Sequence, residues 1–256
     1  VKKKIALFLI GLLFLSGIFL GIEKAGEKSK HSTITTTTST TSTTTQTNKQ
    51  KKKNAVKSEL PDVSVKDWNL LLVNAHNTVK DRQPNLTSLA NGQQLDEKVY
   101  PYYVQLSEAA RQAGYTLLAI SGYRSVAYQQ QLLNNDIQSY LNQGYSQEAA
   151  KKKALEYMTE PGTSEHHTGL AIDVLEQTWY EKGNALETSF GETKAGEWLA
   201  QNAATYGFII RYPKGKEDIT GIQYEPWHLR FVGKENALYM AKHQLVLEEY
   251  LALLKD

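Results

Sequence analysis

The chain has 256 residues, 41% hydrophobic and 10% aromatic, enough for one ordinary domain with a core plus additional segments. Its net charge of +2 hides a division: residues 1–57 carry eleven lysines against two glutamates, and the other 199 carry 18 Lys/Arg against 25 Asp/Glu, so the basic balance gives no ground for nucleic-acid binding. No cysteine is present, which excludes disulfides, thiolate zinc sites, a cysteine nucleophile and a lipid-modified cysteine.

Lys2, Lys3 and Lys4 precede an uncharged run of 18 residues, Ile5 to Ile22. The run is longer than an ordinary signal-peptide core and ends without a clear A-x-A site, so residues 1–22 are expected to form an export signal retained as a membrane anchor. The leading lysines orient the rest of the chain outward. Residues 32–47 hold 14 Ser/Thr out of 16, followed by four lysines within 49–53. Such a segment buries too little apolar surface to fold, and residues 23–59 are expected to be a disordered tether reaching roughly 30–35 Å. The expected folded domain is 60–256.

Trp68 to Val73 reads as a buried strand or a short apolar segment, followed by a polar loop containing His76, Pro84 and Gly92. Apolar positions from Lys98 to Ala113 suit a helix, with Pro101 in its first turn and Gly114 at its end. Tyr115 to Ile120 reads as a strand delivering Ser121-Gly122-Tyr123-Arg124-Ser125. Ser125 and Ser146 are expected to cap helices running to about Leu141 and Met158. A strand Gly169–Val174 follows, then an irregular loop, a helix Thr193–Tyr206 stopped by Gly207, a strand Phe208–Tyr212, a charged loop 213–221, a strand Glu225–Val232 and a closing helix Lys234–Leu254.

Two segments carry candidate chemistry. In Ser164-Glu165-His166-His167-Thr168-Gly169-Leu170-Ala171-Ile172-Asp173-Val174, strand alternation puts Leu170, Ile172 and Val174 on a core face and leaves the other face bare except for Asp173. His166 lies an odd seven positions earlier, so the two meet only if His166 is on the preceding loop and the chain turns near Gly169. Alternatively the segment is a histidine-bearing turn leading into a core strand. In Glu225-Pro226-Trp227-His228-Leu229-Arg230-Phe231, His228 and Arg230 share one face and Trp227, Leu229 and Phe231 the other. Pro226 cannot donate to a ladder, which assigns Glu225 to the entry loop.

Zinc hydrolases use three protein ligands and leave a position for water, and His166, Asp173 and His228 supply two imidazoles and a carboxylate. Such an ion acidifies its water toward about 7 and polarises a carbonyl. Glu225 is then the candidate general base. Arg124, at a strand end, suits a substrate carboxylate or a developing oxyanion. The competing readings are a loop ion pair Glu225–Arg230, a half-buried core His228 and a structural Arg124. His167 points elsewhere by one residue and is not expected to be a ligand; His31, His76 and His243 have no ligand spacing to one another. No H-E-x-x-H is present.

Over roughly residues 66–252 the chain resembles the VanY-like D-alanyl-D-alanine carboxypeptidases, the family that includes LdcB-type L,D-carboxypeptidases. The resemblance rests on Ser-x-His-x-x-Gly-x-Ala-x-Asp at Ser164, His166, Gly169, Ala171 and Asp173; on Glu-x-x-His at Glu225 and His228; on Ser-Gly-Tyr-Arg-Ser at 121–125; and on Tyr206-Gly-Phe-Ile-Ile-Arg-Tyr-Pro213 with Ile219-Thr-Gly221. It departs at His167, where relatives often carry glutamine. The resemblance implies a small α+β domain with a central antiparallel sheet flanked by helices and a zinc site at the sheet. It implies one Zn2+ per chain on His166, Asp173 and His228, Glu225 as catalytic base, and peptide contacts from Arg124, Ser164 and Gln129. The expected function is removal of the C-terminal D-alanine from peptidoglycan stem peptides, as DD- or LD-carboxypeptidase, on the outer face of a bacterial membrane, by a monomer. The alternatives are a peptidoglycan endopeptidase or a non-catalytic wall-binding module of the same fold.

Overall fold

A computed structural model describes residues 59–79 and 82–255; the expected anchor, and all of the expected tether but its last residue, lie outside the described residues. Among those residues no helix is long and apolar enough to cross a membrane. The described residues fall in one compact unit.

Its elements are strands β1 (Leu86–Ser88) and β2 (Gln94–Asp96), helix α1 (Tyr100–Gln112), strand β3 (Leu117–Ser121), and helices α2 (Val126–Asn142) and α3 (Gln147–Ala154). A short 3₁₀ turn (Glu165–Thr168) then leads into β4 (Ala171–Glu176). There follow α4 (Gln177–Glu181), α5 (Lys194–Asn202), β5 (Phe208–Tyr212), α6 (Glu217–Thr220), β6 (Glu225–Phe231), α7 (Lys234–His243) and α8 (Leu247–Lys255). The four-stranded sheet has the order β3-β4-β6-β5 with every neighbour antiparallel. The expected α+β class and central antiparallel sheet are therefore observed.

One sheet face is apolar because every second residue is: Leu170, Ile172 and Val174 on one side of the β4/β6 pair and Trp227, Leu229 and Phe231 on the other are all buried. They pack on Val99, on Tyr103, Leu106 and Ala110 of α1, and on Leu199 and Ala203. Fully burying one such side chain contributes roughly 1.5–3 kcal/mol. A second cluster joins Leu70, Ile209 and Val232 to Ala237, Met240, Leu247, Tyr250 and Leu251. The capping expectations hold: Ser125 accepts from the Tyr128 amide and Ser146 from the Ala149 amide.

Several expectations need correction. Of the two readings of Trp68–Val73, the short apolar segment is the one observed, and the polar loop after it contains the hairpin β1–β2. The strand after the histidines runs Ala171–Glu176, two residues later than expected. Helix α3 stops at Ala154, and α4, α6 and a turn at Thr188–Glu192 occupy segments read as loops. The helix after Thr193 ends at Asn202 and continues as a 3₁₀ turn to Tyr206, with Gly207 at φ +88°. The closing helix is two helices. Gln244 at φ +54° ends α7, the Leu245 amide returns to the Met240 carbonyl, and α8 restarts at Leu247 with the Glu249 carboxylate accepting from the Val246 amide.

Glu225 is also corrected: it lies within β6, opposite Tyr212. The sheet accommodates Pro226 by breaking register, since β5 advances two residues (Ile210 to Tyr212) while β6 runs four (Leu229 to Glu225). The residue that cannot donate sits in that bulge, and pairing resumes beyond it.

Candidate metal centre

The polar face of the sheet is built in one row. Ser121, Asp173 and His228 are register partners across β3, β4 and β6. His166 arrives from the 3₁₀ turn, whose end is Gly169 in the left-handed conformation at φ +70°. The turn deduced from the odd spacing of His166 and Asp173 is the one observed. The bulge at Pro226 likewise lets Glu225 and His228, an odd three apart, face the same point.

The metal-capable atoms of His166, Asp173 and His228 all lie within 4.8 Å of one another, and all three residues are buried. His166 Nε2 is 3.3 Å from Asp173 Oδ2, and His228 Nδ1 is 3.1 Å from Asp173 Oδ1. His166 Nδ1 donates to the Gly122 carbonyl at 2.7 Å, leaving Nε2 with its lone pair toward the cluster. His166 Nε2 and Asp173 Oδ1 are buried without a hydrogen-bond partner among the described residues. Orphaned buried acceptors of this kind cost free energy unless something is bound, and a two-histidine, one-carboxylate set suits zinc. The residues fit the ion.

Electrostatics agree with a cation at this point. Burial would raise the Asp173 carboxyl, but the two histidines hold it well below the usual carboxylate range. Burial and the Arg124 charge push His166 down to about 4, so it is neutral and able to ligate. Burial would also lower His228, yet the Asp173 and Glu165 carboxylates raise it to about 9. A site that draws a proton onto His228 in the absence of metal is one with excess negative charge. Glu225 is pushed up to about 8 by burial first, with the Asp173 charge adding to it.

Around this cluster closes a cavity of about 30 Å³ lined by Arg124, Gln129, Tyr157, Ser164, Tyr212 and Glu225, among others. Glu225 Oε2 lies 3.6 Å from His228 Nδ1. Arg124 Nη1 donates to Gln129 Oε1 at 2.9 Å and Nη2 to Asp173 Oδ2 at 3.2 Å. All seven residues expected at the site from the sequence are thus brought together. Two have additional duties: Ser164 accepts from the His166 amide and caps the turn, and Gln129, wholly buried, also donates to the Thr159 carbonyl, so that it holds Arg124 in place.

The family model described as VanY, D-alanyl-D-alanine carboxypeptidase, matches residues 92–234. The chain belongs to this family. A D-alanyl-D-alanine carboxypeptidase of Enterococcus faecalis is 37% identical over 187 residues, 73% of this chain and 66% of that protein, so the chain spans just under two thirds of that relative. Among solved structures, a variant of the vancomycin-resistance D,D-pentapeptidase VanY with Zn(II) has a TM-score of 0.65 at 36% identity, covering 72% of this chain and 99% of that one. VanYB in complex with D-alanine-D-alanine has a TM-score of 0.66 at 37% identity, with 73% and 98% covered. The LdcB LD-carboxypeptidase has a TM-score of 0.62 at 36% identity, with 73% and 87% covered.

In this VanY-family chain His167 is not part of the cluster. Its Nδ1 donates to the Arg124 carbonyl at 2.7 Å and its Nε2 accepts from the Gly162 amide at 3.0 Å, so both ring nitrogens are used. Arg230 pairs with Glu165 rather than with Glu225, which removes the loop ion pair as an account of Glu225. Sequence reasoning missed Glu165, Arg211 and Tyr212. Tyr212 lies with its ring centroid 4.9 Å from that of His228. The available signal for Arg211 was a charged residue inside the otherwise apolar strand Phe208–Tyr212; Glu165, set among Ser164, His166 and His167, carried none.

Proposed function

We propose that this protein is a zinc-dependent carboxypeptidase that removes the C-terminal D-alanine from peptidoglycan stem peptides. The observation that carries the reading is the convergence of His166, Asp173 and His228 with Glu225 and Arg124 on one small buried cavity. Family membership, a relative solved with Zn(II) and another with D-alanine-D-alanine support it.

His166, Asp173 and His228 would hold the ion. When bound, zinc supplies Lewis acidity, acidifying a water and polarising the scissile carbonyl. Glu225 takes the proton of the attacking water and hands it to the leaving amine. Burial raises the proton affinity of its carboxyl, and a cation held beside it would keep it ionised until it takes that proton. Arg124 receives the free carboxylate of the terminal residue. Its Nε is buried with no partner among the described residues, a donor left over once Gln129 and Asp173 have taken two others. The cavity beside it is walled by Tyr157, Tyr212 and Ile222, among others. These features favour an exopeptidase over an endopeptidase, whose substrate has no terminal carboxylate at the cut. A wall-binding module would have no use for Glu225.

We place the enzyme outside a bacterial membrane, held by residues 1–22 and a tether, acting as a monomer. The decisive experiment incubates the zinc-loaded protein with muropeptide pentapeptide and tetrapeptide beside Glu225→Gln and follows free D-alanine by mass spectrometry. Release from either substrate, lost in the variant while zinc stays bound, is the expected result, and the preferred substrate assigns DD or LD cleavage. Zinc bound one per chain with no D-alanine released would overturn the carboxypeptidase reading.

A further inference from the structure

Beneath the metal cluster lies a buried ionic chain that catalysis does not explain. Glu165 Oε1 accepts from Arg211 Nε at 2.8 Å and from Arg230 Nη1. Arg211 continues to Glu248 of α8 through two further bonds, at 2.6 and 2.9 Å. Arg230 Nη2 donates to the carbonyls of Asn69 and Leu71. Arg211 and Arg230 are fully buried and Glu165 is 1% exposed. Burial would raise the Glu165 carboxyl, but Arg230 and Arg211 hold it ionised, well below the usual range. Buried ion pairs of this type are often no more stabilising than apolar residues of the same volume. Stability alone is therefore a poor reason for the arrangement.

The geometry supplies another. Only one Glu165 oxygen is engaged; Oε2 is buried with no partner, and it faces His228 Nε2, equally without one, at 3.5 Å. His228 turns its other nitrogen, Nδ1, toward Asp173. The two histidines thus present opposite nitrogens to the cluster. His166 is set by the Gly122 carbonyl on Nδ1, and His228 is backed by a carboxylate on Nε2. Glu165 and His166 are neighbours on the same 3₁₀ turn, so one turn sets both imidazoles, whose rings stand at 89° to each other.

We propose that Glu165 is the positioning residue of the metal site. Its Oε2 accepts from His228 Nε2–H and fixes the ring with Nδ1 toward the ion, while Arg211 and Arg230 lock its other oxygen. A carboxylate behind a ligating histidine fixes tautomer and orientation and raises the basicity of the ligand nitrogen, and its loss costs typically 10–100-fold in metal affinity. The inference rests on zinc binding at this site, which a one-to-one titration of the unmodified protein tests separately.

The experiment is imidazole nitrogen NMR and chelator competition on the zinc-loaded protein. In the unmodified protein His228 is expected to be protonated on Nε2, with a slowly exchanging, low-field proton. Glu165→Gln moves that signal and weakens zinc binding by roughly 10–100-fold. Glu248→Gln severs the same ionic chain at its far end, so it lowers the unfolding temperature but leaves the His228 signal and zinc affinity in place. Protonation on Nδ1 in the unmodified protein overturns the proposal even if Glu165→Gln does not fold. So does equal loss of zinc affinity in the two variants. A protein that takes up no zinc overturns both this inference and the functional reading beneath it.

Discussion

Arg124 lies against Asp173, its Nη2 donating to Oδ2 at 3.2 Å, so the arginine proposed for the substrate carboxylate also leans on a proposed metal ligand. Gln129 completes the clamp from the other side, itself tied to the Thr159 carbonyl. A planar fork held at two points is preorganised for a third, bidentate partner, and lysine offers no such fork. Arg124→Lys should therefore behave like Arg124→Ala, with kcat/KM lower by about 10²–10³-fold, the scale seen when one preorganised donor is lost. Zinc should still bind at one per chain. Steady-state kinetics on the preferred muropeptide checks this, and near-normal kcat/KM for the lysine variant would refute the bidentate role.

His166 and His167 are adjacent in sequence and unlike in duty. His167 bridges the Arg124 carbonyl and the Gly162 amide, which ties the loop after β3 to the turn before β4. Removing the ring leaves one buried and one part-buried backbone group unpaired, at about 1–3 kcal/mol each at most. His167→Ala should lower stability by about 2 kcal/mol and keep one zinc per chain. His166→Ala should lose zinc with a smaller effect on the metal-free protein. Thermal unfolding with metal analysis distinguishes the two, and loss of zinc from a folded His167→Ala variant would make His167 a ligand after all.

What the sequence revealed and what it concealed follow a physical line. The His166–Asp173 spacing is local, and strand alternation plus Gly169 was enough to bring that pair together, whereas Glu225 and His228 also needed the bulge at Pro226. The apolar faces of β4 and β6 were legible for the same reason. Glu225 was misplaced because a proline in a strand signals an edge or a bulge equally well, and only the partner strand β5 decides which. The ion pairs of Glu165 join residues 46 and 65 positions apart, beyond any sequence window. The hairpin β1–β2 has three-residue strands, too short for a period, and it acts through its backbone.

That hairpin is the basis of a stability prediction. The Asp96 amide donates to the Gly169 carbonyl at 3.0 Å, and a Cβ at Gly169 would lie 2.8 Å from the Asp96 nitrogen. Gly169 also has φ +70°, where an L-residue pays roughly 1–2 kcal/mol. Gly92 has φ +86° and open space around it. Gly92→Ala should thus cost about 1 kcal/mol, from backbone strain alone. Gly169→Ala should cost clearly more and weaken zinc binding, because β2 and the turn that carries His166 cannot both keep their places. Urea unfolding of the two variants checks this; equal losses would mean that the close approach has no energetic weight.

Asp136 on α2 supplies a pH dependence outside the metal site. Burial raises its carboxyl from the ordinary 3.8 to about 6. An acid whose folded value is the higher one is held protonated by the native state. Below about 3.8 both folded and unfolded forms carry the proton and the residue has no pH-dependent effect. Between 3.8 and 6 the unfolded chain has released its proton while the native state retains it, so stability falls as pH rises; above 6 the full loss persists. The side chain is only half-buried, so solvent screening reduces the loss at pH 7.5 to about 1 kcal/mol. Asp136→Asn removes the charge and should be more stable than the parent by that amount at pH 7.5, with the gain vanishing near pH 3.5. Because metal binding through imidazole and carboxylate groups varies with pH, the quantity to follow is the difference in urea midpoint between the two proteins at fixed zinc. A difference that is constant from pH 3.5 to 7.5 would show that Asp136 titrates alike in the folded and unfolded chain.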